Sequence, residues 1–181
     1  MSGWFWLCTV LGLLSLEVDG KSNERNYMVV INQISLRRVE KEYFDDVHCV
    51  LAQIRNRSTI DCSLILRRSV DKIDMEVYLD FMRPNNQNIR LFNARLEVCE
   101  MWSFVHKNPL INLLAKTFIK VIDPNIRCPL RKNYNYTLTN WYLDENDFPG
   151  YIPEGGFQTI TEYIIRKKRI LRIVTRGRII Y

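Results

Sequence analysis

His48 and His106 are the only histidines in the 181 residues, and neither stands in a pattern that does catalysis. A Ser-His-Asp site needs its nucleophile presented on a sharp turn, and no Gly-x-Ser-x-Gly occurs. Asp144-Glu145-Asn146-Asp147 gathers three carboxylates, the hard oxygen ligands that calcium accepts. The run lacks the glycine and distal glutamate of an EF-hand, and Phe148-Pro149-Gly150 interrupts it, so a solvated turn is expected. No catalytic residue, metal or cofactor is assigned, and the chain reads as a non-enzyme.

The other reactive residues are cysteines. Cys8 lies in an apolar leader, which leaves Cys49, Cys62, Cys99 and Cys128, an even number with no Cys-x-x-Cys spacing for zinc or redox chemistry. Four cysteines allow three pairings. Cys49–Cys62 with Cys99–Cys128 is expected, because each pair brackets one strand-to-strand or strand-to-helix excursion. Two glycosylation sequons follow, Asn56-Arg57-Ser58 and Asn135-Tyr136-Thr137. Near the end, Arg166, Lys167, Lys168, Arg169 and Arg172, followed by Arg176 and Arg178, form a strongly basic stretch. It reads either as a surface for an acidic partner or as a hairpin and edge strand whose charge prevents aggregation.

These groups need elements to hold them. Asp74 to Phe81 alternates strictly, with Met75, Val77, Leu79 and Phe81 on one face. Pro84-Asn85-Asn86-Gln87-Asn88 is turn chemistry, and Phe92, Ala94, Leu96 and Val98 alternate again, so a hairpin with one buried face is predicted. Shorter strands are read at Met28–Ile31, Glu42–Cys49, Ile60–Leu66, Tyr136–Tyr142, Phe157–Ile165 and Ile170–Val174. One helix is predicted near 108–122, capped by Asn108 with Pro109 in its first turn, and apolar over more than half its circumference. Seven or eight short strands with one buried helix favour a mainly β, two-sheet antiparallel sandwich of immunoglobulin-like type.

Trp4 to Leu16 is too short to span a bilayer and has the length of a signal-peptide core. Val18 and Gly20 suit a cut after Gly20, so residues 1–20 are expected to be a signal peptide and 21–181 a single secreted domain. No later run is long and apolar enough to be a transmembrane segment. The net charge of +6 invites a nucleic-acid partner, but export excludes one and leaves glycans, lipid headgroups or an extracellular receptor.

The order Phe44…Cys49…Cys62-x-Leu64, an alternating hairpin, Cys99, Asn108-Pro109, Cys128-Pro129 and Ile152-Pro153-Glu154-Gly155-Gly156-Phe157 resembles a family of short secreted proteins. That family is expanded in insects, carries a domain of unknown function and is distantly similar to the ML fold, the myeloid-differentiation-factor-two-related lipid-recognition sandwich. The resemblance covers roughly residues 40 to 165. It implies an ML-like sandwich that opens between its sheets to hold an apolar ligand, in relatives linked to chemosensory or pheromone-responsive tissues. The basic C-terminal hairpin and the polar run before Cys49 depart from many relatives.

Val77, Leu79, Phe81, Phe92, Leu96, Leu114 and Phe118 are the expected lining of such a pocket, although aromatic residues at strand spacing also serve as ordinary core. The chain therefore reads as a carrier of a small hydrophobic, lipid-like ligand. The alternative is a receptor-interaction module with a closed core and the basic hairpin as its partner surface.

Overall fold

The structure is a computed structural model that describes residues 25–54, 57–83, 87–103, 107, 109–123 and 126–181. The leader, Asn56, the turn at 84–86, Phe104, His106 and the Asn108 cap lie outside the described residues, as do the side chains of Trp102 and Leu110.

Among the described residues, eight strands form two antiparallel sheets. They are β1 (Met28–Arg37), β2 (Phe44–Ile54), β3 (Arg57–Leu66), β4 (Asp74–Met82), β5 (Asn88–Glu97), β6 (Asn135–Trp141), β7 (Gly155–Ile165) and β8 (Lys168–Ile180). The larger sheet has the order β1-β8-β7-β4-β5 and the smaller one β2-β3-β6. One helix, α1 (Pro109–Ile119), stands between β5 and β6 in sequence. The two-sheet sandwich with a single helix is the architecture expected from the strand count.

Period-two alternation builds the inner face of the large sheet. Met75, Leu79 and Phe81 on β4 and Phe92, Ala94 and Leu96 on β5 are buried, each contributing apolar area worth about 25 cal/mol per Å². The outer face carries charge in cross-strand rows. Arg95 pairs with Asp74 at 2.7 Å and with Glu76 at 3.4 Å, and Arg90 grips Asp80 at 2.7 Å. Glu162 is only 2% exposed and accepts from both Arg169 and Arg172, at 2.5 and 2.7 Å. Opposite charges facing each other across strands fix the register that keeps the apolar set inside.

The sheets meet differently along their two sides. At β1, side chains stitch them together. The Ile31 N–H donates to Ser58 Oγ at 3.0 Å, and Gln53 donates to both Ser58 Oγ and the Ile31 carbonyl. At the opposite side no ladder joins β5 to β6, and α1 stands in the gap. Ile111, Leu114, Ala115 and Phe118 follow the i, i+3, i+4, i+7 spacing of one helical face and point inward. The sandwich is therefore a wedge, sewn along one edge and propped by a helix along the other.

Several elements depart from expectation, α1 and β8 most clearly. The helix ends at Ile119, not near 122, because Ile122 leaves it to make a β-bridge with Leu138. Its flank is also less covered than an apolar circumference implies, since Leu113, Leu114, Phe118 and Ile119 remain partly accessible. Strand β8 runs thirteen residues, well past Val174. It can do so because Gly177 leaves room for the Phe157 ring; a Cβ there would sit 2.4 Å from that ring and 2.5 Å from the Val30 carbonyl oxygen.

Candidate ligand cavity between the sheets

The interior is not filled throughout. One cavity of about 140 Å³ lies toward Phe44, Leu66, Ile126 and Leu130. A second, also about 140 Å³, lies under α1 and is walled by Val77, Ala94, Leu96, Leu138 and Trp141. A third, of about 290 Å³, lies toward Val29, Leu79, Phe81 and Phe157. The first two share Met75, Met101, Phe118 and Tyr163, and the last two share Leu114 and Thr159. Together they form a series along the long axis of the sandwich.

All seven residues expected to line a pocket face this space. Val77, Phe92, Leu96, Leu114 and Phe118 line the second cavity, and Leu79 and Phe81 line the third with Leu114. Phe118 also packs edge-on to Trp141 with ring centroids 6.4 Å apart.

The third cavity reaches the surface. Leu91 and Tyr151 line it, yet are 46% and 71% exposed. Leu91 owes its position to a β-bulge: Leu79 pairs with Phe92 and Asp80 with Arg90, so Leu91 has no partner and turns toward the mouth. The opposite rim, residues 143–153, is tied down by three donors. Tyr27 donates to the Pro149 carbonyl at 2.6 Å, Tyr181 to that of Ile152 at 2.7 Å, and Arg25 to that of Phe148 at 3.0 Å.

Few polar atoms meet the cavities. Tyr163 projects inward from β7, in register with Met75 on β4 and Leu171 on β8. Burial alone raises its phenol to about 12, with no charge or hydrogen bond contributing. It is enclosed by protein, and the part of its surface that stays accessible faces the cavities. The Trp141 Nε1 is buried without an acceptor. Thr159, Thr161 and Thr175 add hydroxyls to the second cavity. Sequence reasoning passed over Tyr163 and the threonines; the signal was polar residues at inward positions of the Phe157, Thr159, Thr161, Tyr163 alternation.

The four cysteines form two disulfides, Cys49–Cys62 and Cys99–Cys128. The first joins directly paired neighbours of β2 and β3. The second ties the 3-10 turn Val98–Ser103 to the segment after α1 and so brackets the helix. Asn135 is exposed at the start of β6. His48 is exposed on β2.

The carboxylates of the 144–147 run are engaged within the fold. Asp144 caps the turn by accepting from the Asn146 N–H, and Glu145 accepts the Val29 N–H at 3.1 Å. Arg57 approaches both, and Lys120 approaches Asp147. Among the described residues, no cluster of His, Cys, Asp and Glu is arranged to hold a metal ion.

The basic hairpin is more occupied than its sequence implies. Lys168 pairs with Glu40 and Glu42, Arg169 with Glu162 and Glu76, and Arg172 with Glu162. Arg166 and Lys167 remain exposed at the tip, both with left-handed backbone, as a two-residue hairpin turn of mirror-image type requires.

Fold and cavity together define a β-sandwich with a largely apolar interior opening to one end. Residues 73–159 match the family described as a protein of unknown function (DUF1091). The matched segment holds the β4–β5 hairpin, Cys99, Pro109, Cys128-Pro129 and the Pro-Glu-Gly-Gly-Phe run, much of the order on which the family resemblance rested. No curated protein matches the chain.

Among solved structures, the chain is similar to chicken MD-1 complexed with lipid IVa, at 12% identity and TM-score 0.40, covering 86% of this chain and 98% of that one. It is also similar to a Niemann-Pick type C2 protein from Japanese carpenter ant, at 11% identity and TM-score 0.33, covering 83% and 91%. No helix among the described residues is long and apolar enough to cross a membrane.

Proposed function

We propose that the protein is a secreted, non-enzymatic binder that holds a small lipid-like ligand between its sheets. The observation that carries this reading is the series of cavities between the sheets, walled almost wholly by apolar side chains and opening between Leu91 and Tyr151. An interior that merely packed would be filled to near-crystalline density, without several voids larger than a water molecule in sequence. Ligand burial there gains about 25 cal/mol for each Å² of apolar surface removed from water.

The mature chain begins after Gly20 as one domain and is glycosylated at Asn56 and Asn135. Two disulfides suit an oxidising, extracellular setting. The family resemblance adds chemosensory or pheromone-related signalling as the setting. A receptor-facing surface at the hairpin turn is reduced to Arg166 and Lys167, since Lys168, Arg169 and Arg172 beside it are held by carboxylates of the same chain.

Native mass spectrometry of secreted protein should reveal co-purifying lipid, and the stripped protein should take up a neutral fluorescent probe such as N-phenylnaphthylamine. Ala94 is buried on β5 against the second cavity. Ala94→Trp, which fills that space, should keep the fold by circular dichroism and weaken probe binding at least tenfold. Absence of both co-purifying lipid and probe uptake would overturn the reading.

A further inference from the structure

The chemistry of the cavity walls restricts what can occupy them. Among the described residues that line the three cavities, none is charged. A carboxylate or ammonium drawn inside would lose its hydration with no counter-ion to meet it. The walls are nevertheless not inert, because hydrogen-bond donors on them lack partners, two of these on large rings. Among the described residues the Tyr163 hydroxyl has no hydrogen-bond partner, and Tyr163 lines both the first and the second cavity. The Trp141 Nε1 is buried and unpaired beside the second cavity. Indole N–H only donates, and a phenol donates readily, so the missing partner is an acceptor. A hydrocarbon would leave both donors unpaired.

We propose that the cavity selects neutral, oxygen-bearing apolar ligands, such as long-chain alcohols, aldehydes or esters, over both hydrocarbons and ionised fatty acids, with the Tyr163 hydroxyl binding the ligand oxygen. This rests on the carrier reading above and adds the ligand's class. The apolar chain fills the series of cavities and its oxygen lies at the junction beside Tyr163. Thr161 and Thr175, also lining the second cavity, supply the hydroxyls that can serve an alcohol's own proton.

The test is displacement of the neutral probe at pH 8 by decane, decanol, decanal and decanoate, using wild type and Tyr163→Phe. Removing an unpaired hydroxyl keeps the ring in place. One hydrogen bond corresponds to roughly a five- to tenfold preference. Decanol and decanal should therefore outcompete decane by about that factor and outcompete decanoate by more. Tyr163→Phe should bring the alcohol and aldehyde to within twofold of decane while leaving decane unchanged. Decanoate binding as tightly as the neutral oxygen compounds would overturn the proposal, as would an oxygen preference that survives Tyr163→Phe. Either result leaves the carrier reading standing, whereas failure of the probe to bind wild type, together with absence of co-purifying lipid, sinks both.

Discussion

A phenol enclosed by apolar walls carries a thermodynamic signature that can be read without any ligand. Tyr163 titrates at about 12 in the folded chain against 10.0 for an exposed tyrosine, because burial penalises the phenolate. Its folded value is raised, so its contribution to stability is intact below pH 10 and is lost as pH climbs from there through 12. A rise of that size corresponds to about 3 kcal/mol of stability. In urea unfolding, wild type and Tyr163→Phe should change in parallel up to about pH 10, after which wild type should fall faster. Parallel behaviour at higher pH would mean that the phenol is open to solvent. At this scale the sequence was partly legible. Val77, Leu79 and Phe81, on the apolar side of the Asp74–Phe81 alternation, line the cavities, since period-two burial is a local property. Tyr163 escaped because its significance lies in lacking a partner, which depends on what stands across the sandwich. Leu91 escaped for a related reason: a bulge shifts one side chain out of phase, and no pattern within β5 announces it.

Among the elements, α1 and its disulfide form a unit. Cys99–Cys128 closes a span of 29 residues that contains the helix, which in the chain-entropy account stabilises by about 3–4 kcal/mol. Replacing both cysteines by serine should lower stability by about that amount. It should also speed hydrogen exchange in α1 while leaving β7 and β8 protected, as mass spectrometry would detect. Equal acceleration in α1 and the large sheet would show that the helix is not a separately anchored prop. The helix could be read from its capping and apolar spacing, but its end could not. Val121 and Ile122 continue the helical pattern, and only the pairing of Ile122 with Leu138 takes them out of it. The expected Ile170–Val174 stops short of the end of β8, since nothing within the segment shows what Gly177 packs against. In the sheet, Gly177 accommodates Phe157, and Arg176 and Arg178 belong to the outer face.

For the whole molecule, the count of strands and the position of the helix gave the two-layer class, because each alternating segment must bury one face. The separation of the layers was not legible. It follows from an asymmetry that no single segment carries, with side-chain stitching at β1 and a helix standing between β5 and β6. The same asymmetry makes the unliganded protein unusually sensitive to compression. Unfolding eliminates internal voids, so the unfolded chain occupies less volume, and pressure drives the equilibrium toward it. Stripped protein should unfold at markedly lower hydrostatic pressure than protein carrying its ligand, and Ala94→Trp, which occupies part of the same space, should shift the empty protein toward the loaded one. Tryptophan fluorescence in a high-pressure cell would record both transitions. Coincident transitions for empty and loaded protein would mean that the ligand does not reside in these voids. A propped interior thus has a mechanical cost when vacant, and a molecule that fills the voids removes it.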